Sequence, residues 1–192
     1  MSLILGILDS GGAATPAAAP SYESISTVTV GSGGASDITF SSIPSTYTHL
    51  QIRGLGRNTA GSAGGSNLEL QFNTDTATNY SSHYLRGSGS AASAGAYTTS
   101  SRIYFIETIA RNGNTAGVFG TFVIDILDYA NTNKYKTVRG LGGYDDNGSG
   151  YILFGSGNWR STSAISSVKV ILEGGDTFAQ YSQWALYGIK GA

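Results

Sequence analysis

Residues 117–136, GVFGTFVIDILDYANTNKYK, form the longest run of apolar and β-branched residues in the chain. The apolar side chains fall on both faces of an extended segment, which predicts a buried strand covered by packed sheets or by an oligomer. A helix is disfavoured because Gly117 and Gly120 flank the run and its apolar residues do not form one helical stripe. These apolar residues are Val118, Phe119, Phe122, Val123, Ile124, Ile126 and Leu127.

Short alternating segments separated by turn residues lie on both sides of this strand. They predict further strands at 22–30, 37–41, 46–53, 67–73, 80–86, 102–110, 134–141, 151–154, 165–172 and 178–190. About nine to eleven short strands without amphipathic helices are typical of an antiparallel β-sandwich, so we expect an all-β, jelly-roll-like domain. Two connections are also predicted: an exposed low-complexity loop at 87–100 and a hairpin turn at Asn112-Gly113.

Length and composition limit the classes of function. The chain has 192 residues, enough for one sandwich domain, which we place at 21–192. With 11 basic and 12 acidic residues the net charge is -1, which provides no electrostatic attraction for nucleic acid or an anionic membrane. The absence of cysteine excludes disulfides, thiolate zinc sites and a cysteine nucleophile.

Residues 1–20 differ from the rest, because a short apolar segment precedes the stretch GGAATPAAAP. A secretory signal is disfavoured because the basic start and the longer apolar centre are missing, and the segment is too short to span a bilayer. Two interpretations stay open: a peptide on a flexible linker that anchors the chain to another subunit, or a frayed terminus. The anchoring residues would be Leu3, Ile4, Leu5, Ile7 and Leu8.

The turn DDNGSG places oxygen-bearing side chains at Asp145, Asn147 and Ser149, as at the start of a calcium-binding loop. The pattern then fails, because Ser156 occupies the position where an EF-hand loop needs a bidentate glutamate. We interpret the segment as a polar hairpin turn, since Asn-Gly between strands is itself a turn signal. No metal ion or other cofactor is expected.

The remaining polar residues predict no catalytic set. His49 and His83 have no metal-binding spacing, and no GxSxG elbow is present to activate a serine. Asp125 and Asp128 are three residues apart, which puts them on opposite faces of a regular strand rather than together as glycosidase acids. Asp125 is expected to meet an arginine or backbone donors in the core, because an unpaired buried carboxylate is costly.

Aromatic side chains allow a second interpretation of the surface, because they stack on sugar rings and the surface is rich in neutral polar groups. In this interpretation the 87–100 loop and the DDNGSG turn face a ligand. The alternative is that the aromatic residues fill sheet faces and subunit interfaces. The candidate ligand-facing residues are Tyr97, Asp145, Asn147, Tyr151 and Trp159.

Four segments carry a family resemblance: ITFSSIPSTYTHLQIRG (38–54), DILDYANTNKYKTVRGL (125–141), SGNWRSTSAISSVKV (156–170) and FAQYSQWALYGIK (178–190). In combination they resemble a family of small virion proteins of tailed bacteriophages, common in phages of aquatic bacteria, including cyanophages. Members often begin with a leader similar to Leu5-Gly6-Ile7. The resemblance implies a jelly-roll-like surface component of the head or tail and brings no catalytic residues.

The sequence therefore predicts a non-enzymatic structural protein at the virion surface, either a tail fibre or appendage or a head decoration. Its expected partners are other virion proteins and further copies of itself, with a trimer favoured, and residues 1–20 would anchor it to the particle. The alternative is a module that binds a host receptor or surface glycan. Neither nucleic-acid binding nor membrane insertion is expected.

Overall fold

The computed structural model describes residues 21–191, and these form twelve strands and one short 3-10 turn, Glu173–Gly175. The prediction of an all-β domain is confirmed. The strands are β1 Tyr22–Thr29, β2 Asp37–Phe40, β3 His49–Asn58, β4 Gly65–Phe72, β5 Tyr80–Gly87, β6 Ala92–Ser100, β7 Ile103–Arg111, β8 Gly120–Leu127, β9 Lys136–Asp146, β10 Ser149–Trp159, β11 Val168–Leu172 and β12 Gln183–Ile189.

Two layers make up the domain. The large sheet has the order β1-β12-β3-β8-β9-β10-β5-β6, with antiparallel neighbours throughout. The small sheet has the order β2-β11-β4-β7 and is also antiparallel. The layers are joined where Arg57 and Asn58, at the end of β3, pair in parallel with Ala110 and Arg111 of β7.

The path of the chain between the layers is that of a jelly roll. Going from β2 to β12, the chain passes repeatedly between the small and the large sheet, with β2, β4, β7 and β11 contributing the small one. Repeated crossing between two antiparallel sheets is the winding of jelly-roll domains. The β8-β9-β10 meander widens the large sheet beside β5, and β12 and β1 extend it beyond β3.

Glycines of the large sheet let aromatic side chains of the small sheet approach its backbone. Phe105 of β7 packs edge-on against Phe122 of β8, with ring centroids 4.9 Å apart. A Cβ atom at Gly140 would lie 2.6 Å from the Phe105 ring, and one at Gly155 would lie 2.9 Å from it. These distances are shorter than van der Waals contact, so both glycines are packing positions of the core.

The strand predicted from residues 117–136 is β8, and its two faces differ. The inward side chains Phe122, Ile124 and Ile126 are buried between the sheets. The outward side chains Val123 and Leu127 are exposed in the single chain. The prediction of a buried strand is therefore confirmed for the inward face, while the outward face carries apolar side chains that the rest of the described chain leaves exposed.

The hairpin predicted at Asn112-Gly113 is wrong. The strands on either side of it, β7 and β8, belong to different sheets, and residues 112–119 cross from one layer to the other. Gly113 serves a different purpose there, because a Cβ atom at this position would lie 2.4 Å from the backbone nitrogen of Ala63. The glycine permits two loops to pack backbone against backbone.

The prediction that 87–100 is a loop is also wrong, although most of its residues are exposed as expected. After a turn at 88–91, residues 92–100 form β6, which pairs with β5 at the end of the large sheet. Its Ala, Ser and Gly residues have weak strand propensity, but backbone pairing with a neighbouring strand overrides that preference. In contrast, the polar hairpin turn predicted at 145–150 is confirmed, because β9 and β10 pair directly across Asn147 and Gly148, both at positive φ.

Candidate interaction face

A row of exposed apolar side chains crosses the outward face of the large sheet. Val123 of β8 pairs with Leu141 of β9, which pairs with Phe154 of β10, and this residue pairs with Leu85 of β5. All four side chains are between 38% and 56% exposed. We call these four residues the apolar row, because their register places them side by side on one face.

A second outward row lies next to the apolar row, nearer the β9-β10 turn. It consists of Thr121, Gly143, Ile152 and Gly87, which are cross-strand neighbours in that order. Ile152 is 63% exposed and stands between two glycines. A groove of about 660 Å³, which we call the glycine groove, is lined by these four residues. Its apolar walls include Phe119, Val123, Leu141 and Ile152.

A polar row borders the apolar row on its other side. It consists of Asp125, Arg139, Ser156 and His83, again in register across four strands. The Asp125 carboxylate accepts hydrogen bonds from Gln51 Nε2 at 2.8 Å and from Arg139 Nη2 at 3.1 Å. The predicted arginine partner is therefore present, but the predicted core location is wrong, because Asp125 shares the outward face of β8 with Val123.

An aromatic and cationic cluster continues the same face towards β1. The ring of Tyr22 stacks on that of Tyr187 with centroids 4.9 Å apart, and the Arg53 guanidinium lies 5.6 and 5.8 Å from the two centroids. The Tyr22 hydroxyl donates to Gln51 Oε1 at 2.7 Å. Tyrosine and arginine are enriched in protein interfaces, so the outward face combines an apolar centre with side chains typical of contact surfaces.

Three of the five predicted ligand-facing residues lie near the glycine groove. Asp145 and Asn147 are exposed at the β9-β10 turn, and Tyr151 is half-buried beneath the Arg86 guanidinium, 4.9 Å from its ring centroid. Tyr97 lies elsewhere, on β6, where it packs against Tyr104 at a centroid distance of 5.0 Å. The structure does not bring Tyr97 together with the residues of the turn.

The prediction that Trp159 faces a ligand is wrong. Its side chain is 2% exposed and packs against Phe72 and Tyr80, with ring centroids 5.7 and 6.2 Å away. The indole Nε1 donates to Asp75 Oδ2 at 2.7 Å. Trp159 is the last residue of β10 and lies on the inward face with Leu153, so the position of the strand places it in the core.

The carboxyl group of Asp75 gives this contact a pH dependence. Partial burial raises the pKa of Asp75, but hydrogen bonds from Asn79, Trp159 and Ala77 outweigh it and hold the pKa below its usual value. A carboxyl whose pKa is lower in the folded state stabilises the fold above its unfolded pKa of about 4, and this contribution disappears as the pH falls through the folded pKa.

We therefore expect Asp75→Asn to lower the free energy of unfolding at pH 7 by about 1–2 kcal/mol, the net value of hydrogen bonds to a charged group. At acidic pH, as the pH falls through the lowered folded pKa and Asp75 becomes protonated in the folded and the unfolded state, the difference between variant and wild type should shrink. Urea denaturation followed by tryptophan fluorescence measures both values. Asp145→Asn, at the exposed turn, is the matched control and should behave as wild type. A difference that is the same at both pH values would contradict the assignment.

The titratable residues considered in the sequence are dispersed. His49 Nδ1 accepts the backbone N–H of Asp128 at 3.0 Å, whereas His83 lies four strands away in the polar row. Asp128 forms an ion pair with Lys134, separate from that of Asp125 with Arg139. Within residues 21–191 no three His, Asp or Glu side chains group as metal ligands, and no helix there is long and apolar enough to cross a membrane.

Comparison with protein-family models, curated proteins and solved structures found no match to this chain. The outward face of the large sheet, which we call the interaction face, is therefore interpreted from its own residues alone. Sequence reasoning missed it because Leu141, Ile152 and Phe154 were assigned to strands without a facing direction. The sequence did contain a signal for this face. Ile152 and Phe154 alternate with the buried Leu153, so they point to the opposite side of the strand.

Proposed function

We propose that the chain is a structural module of a tailed-phage virion, exposed at the particle surface and held there by contacts with other subunits. The observation that carries the proposal is the apolar row with its neighbour Ile152 on the outward face of the large sheet. A contiguous exposed apolar patch on a soluble domain marks an interaction site. The resemblance of four segments to small phage virion proteins supplies the biological setting.

The magnitude of the exposed surface supports an assembly role. The apolar row and Ile152 expose on the order of 400 Å² of apolar surface, within the range of the largest patch on a typical monomer. Burial at about 25 cal/mol per Å² provides roughly 10 kcal/mol from each partner before the cost of association is subtracted. That is enough to drive a stable contact, and leaving the face uncovered would favour non-specific association instead.

The second part of the proposal concerns residues 1–20, which lie outside the described residues. We propose that Leu3, Ile4, Leu5, Ile7 and Leu8 anchor the module to the particle through apolar contacts. The full-length double variant Leu5→Asp/Ile7→Asp should therefore be lost from assembled particles, with at least about a tenfold drop in incorporation, since burying two carboxylates in an apolar contact is costly.

Immunogold electron microscopy with an antibody against the full chain measures both location and incorporation. Label over the capsid would identify a head decoration, and label confined to the tail would identify a fibre or baseplate component. The matched control is Ser2→Asp/Ser10→Asp, which adds the same charges outside the apolar residues. Equal labelling of particles carrying the Leu5→Asp/Ile7→Asp variant would overturn the anchoring role, and no label on particles would overturn the virion proposal.

A second candidate function is binding of a host-surface glycan in the glycine groove. The observation that favours it is the groove itself, since its rim includes Asp145, Ser88 and Ser149 beside the apolar walls. Sugar sites combine apolar stacking with hydrogen bonds to hydroxyl groups. Binding of the full chain to a panel of host glycans tests this function, and loss of a glycan signal in an Asp145→Ala variant would assign it to the groove.

A further inference from the structure

We propose that the outward face of the large sheet is covered by a second copy of this chain, related by a two-fold axis parallel to the strands and midway between β9 and β10. The inference rests on the proposed function, which states that the module contacts other subunits. It identifies one of those subunits as a second copy of the chain. It commits to a face-to-face dimer, and the register of the strands decides which residues meet.

The axis pairs the apolar row with itself. Rotation about a line between β9 and β10 places Leu141 of one copy over Phe154 of the other. The same rotation places Val123, one strand further out, over Leu85. Each copy therefore presents apolar side chains to apolar side chains along the whole row, as a self-complementary two-fold interface requires. The strands of the two copies run along the same direction, as in aligned sheet-on-sheet packing.

The second outward row supplies shape complementarity. Ile152 of one copy lies over Gly143 of the other, because these residues are cross-strand neighbours on either side of the axis. The Ile152 side chain is 63% exposed, and Gly143, which lies opposite it, lines the glycine groove. The contact occurs twice, so the most exposed apolar side chain of the face enters the glycine groove of the other copy on both sides of the axis.

The polar row is complementary under the same rotation. Asp125 of one copy faces His83 of the other, so that a carboxylate meets an imidazole N–H donor. Arg139 faces Ser156, a hydroxyl acceptor, and keeps its contact with Asp125 in its own copy. A two-fold axis across the strands would instead place Asp125 over Thr121 and Arg139 over Gly143, so the Arg139 guanidinium would be buried against a residue without an acceptor side chain.

The area of the face matches what a stable dimer needs. The six strands from β3 to β6 across this face span about 29 Å at 4.8 Å per strand, and seven residues along them span about 23 Å. The projected area is roughly 670 Å², close to the 800 Å² or so that each partner buries in an interface of standard size. The apolar row lies at its centre, with the polar row at its edge, which is the usual anatomy of an interface.

Light scattering after size-exclusion chromatography of the full chain tests the dimer. The wild type should give about twice the 19.8 kDa mass of one chain. Leu141→Glu should raise the dimer dissociation constant by roughly 30-fold or more, the loss expected at a central hot-spot residue. Tyr181→Glu adds the same charge at an exposed aromatic outside this face and should leave the dimer intact. Circular dichroism verifies that both variants are folded.

Cysteine cross-linking with a short bismaleimide tests the axis itself, and the cysteine-free chain provides a clean background. Mixing Asp125→Cys with His83→Cys should produce a cross-linked heterodimer when a short bismaleimide is added, because sheets packed about 10 Å apart hold the two Cα atoms too far apart for a direct disulfide. Neither variant alone should cross-link, because the axis places each residue away from its own counterpart in the second copy. Cross-linking of either variant alone, or its absence in the mixture, would overturn the axis.

A monomeric wild type at tens of micromolar would overturn the dimer, and so would a trimer, because a single two-fold interface joins only two copies. The virion proposal fails separately, through absence of the chain from particles in the immunogold experiment. A chain that is monomeric in solution but present on particles would therefore refute the second copy and leave the virion role standing. Glycan binding that persists in the cross-linked dimer would also contradict the inference, because the dimer closes the glycine groove.

Discussion

Arg57→Met will lower the free energy of unfolding by about 2–4 kcal/mol, which is several times the cost of an average surface substitution. Arg57 is buried near the end of β3 and keeps its positive charge among backbone oxygens. Methionine fills a similar volume, so the expected loss comes from hydrogen bonding rather than from a cavity. Equilibrium urea denaturation followed by tryptophan fluorescence provides the measurement.

The expected loss follows from the contacts of the guanidinium group. It donates to the side-chain and backbone oxygens of Asn112 at 3.2 and 3.0 Å, and to the carbonyls of Asn114 and Thr115, both at 3.0 Å. A fifth bond reaches the carbonyl of Val118 at 2.5 Å. These oxygens belong to the loop that crosses from the small sheet to the large one. Without the arginine, buried carbonyls would lose their donor, which is the costly case.

Two further variants distinguish the loss of the guanidinium hydrogen bonds from the loss of a positive charge. Arg57→Lys keeps the charge but not the planar fork of donors, so it should lose most of the stability that Arg57→Met loses. Arg160→Met removes an exposed arginine outside the rows of the outward face, whose side chain donates to the Thr78 carbonyl, and should change the free energy of unfolding by less than about 0.5 kcal/mol. Wild-type stability in Arg57→Lys would show that the hydrogen-bond geometry is not what matters.

The same loop connects Arg57 to the interaction face. The loop ends at Phe119, a wall of the glycine groove, and the backbone N–H of Thr115 donates to Asp146 Oδ2 at 3.1 Å near the β9-β10 turn. Hydrogen exchange in Arg57→Met should therefore accelerate in residues 112–119 before it accelerates in β8. The buried arginine thus stabilises the end of the face on which we place the contact between copies.

The alternation of apolar and polar residues was sufficient to predict the strand class and most strand positions. It works best for β3 and β11, where Leu50, Ile52, Val168 and Val170 occupy alternate positions and are buried. It fails for β6, because an Ala, Ser and Gly strand has no apolar face to reveal it. The sequence predicted a jelly-roll-like sandwich but not the order of the strands in each sheet. Strands that pair across long stretches of sequence leave no local signal of their pairing.

The position of Trp159 shows why the ligand-facing residues were harder to predict. An aromatic residue near a turn can lie on the surface, where it could stack on a sugar, or in the core. A shift of one residue in strand register moves its side chain from one face of the sheet to the other. The indole hydrogen bond to Asp75, 84 residues earlier, is what fixes it. The apolar row was missed for the related reason that sequence alone did not determine which face of β9 and β10 points outward.

Glycine was interpreted as a turn signal, although several glycines in β9 and β10 are core positions. Gly140, Gly155 and Gly157 lie on the inward face of the large sheet, each opposite a large side chain of β7. Their strands remain regular, and none of the three has a positive φ. These glycines therefore create room for Phe105 and Ile103 rather than bending the chain. We expect substitutions at such a glycine and at the side chain opposite it to have coupled effects on stability.

Phe105→Ala should lower the free energy of unfolding by about 3–5 kcal/mol, because it removes a fully buried ring and leaves a cavity between the sheets. Gly140→Ala should lower it by about 1–3 kcal/mol through overpacking, since the added methyl group would lie 2.6 Å from that ring and 2.8 Å from Phe122. Gly31→Ala is the matched control, because a Cβ atom there meets no atom within 4 Å.

In the double variant Phe105→Ala/Gly140→Ala the methyl group enters space that the missing ring no longer occupies. The loss of stability should therefore be smaller than the sum of the two single losses, with a coupling of about 0.5–3 kcal/mol, as residues in direct contact show. Strict additivity would mean that the Phe122 ring or the backbone, and not the Phe105 ring, limits the space at Gly140. Sub-additive loss would establish that the glycines of the large sheet and the aromatic residues of the small sheet form one packing unit.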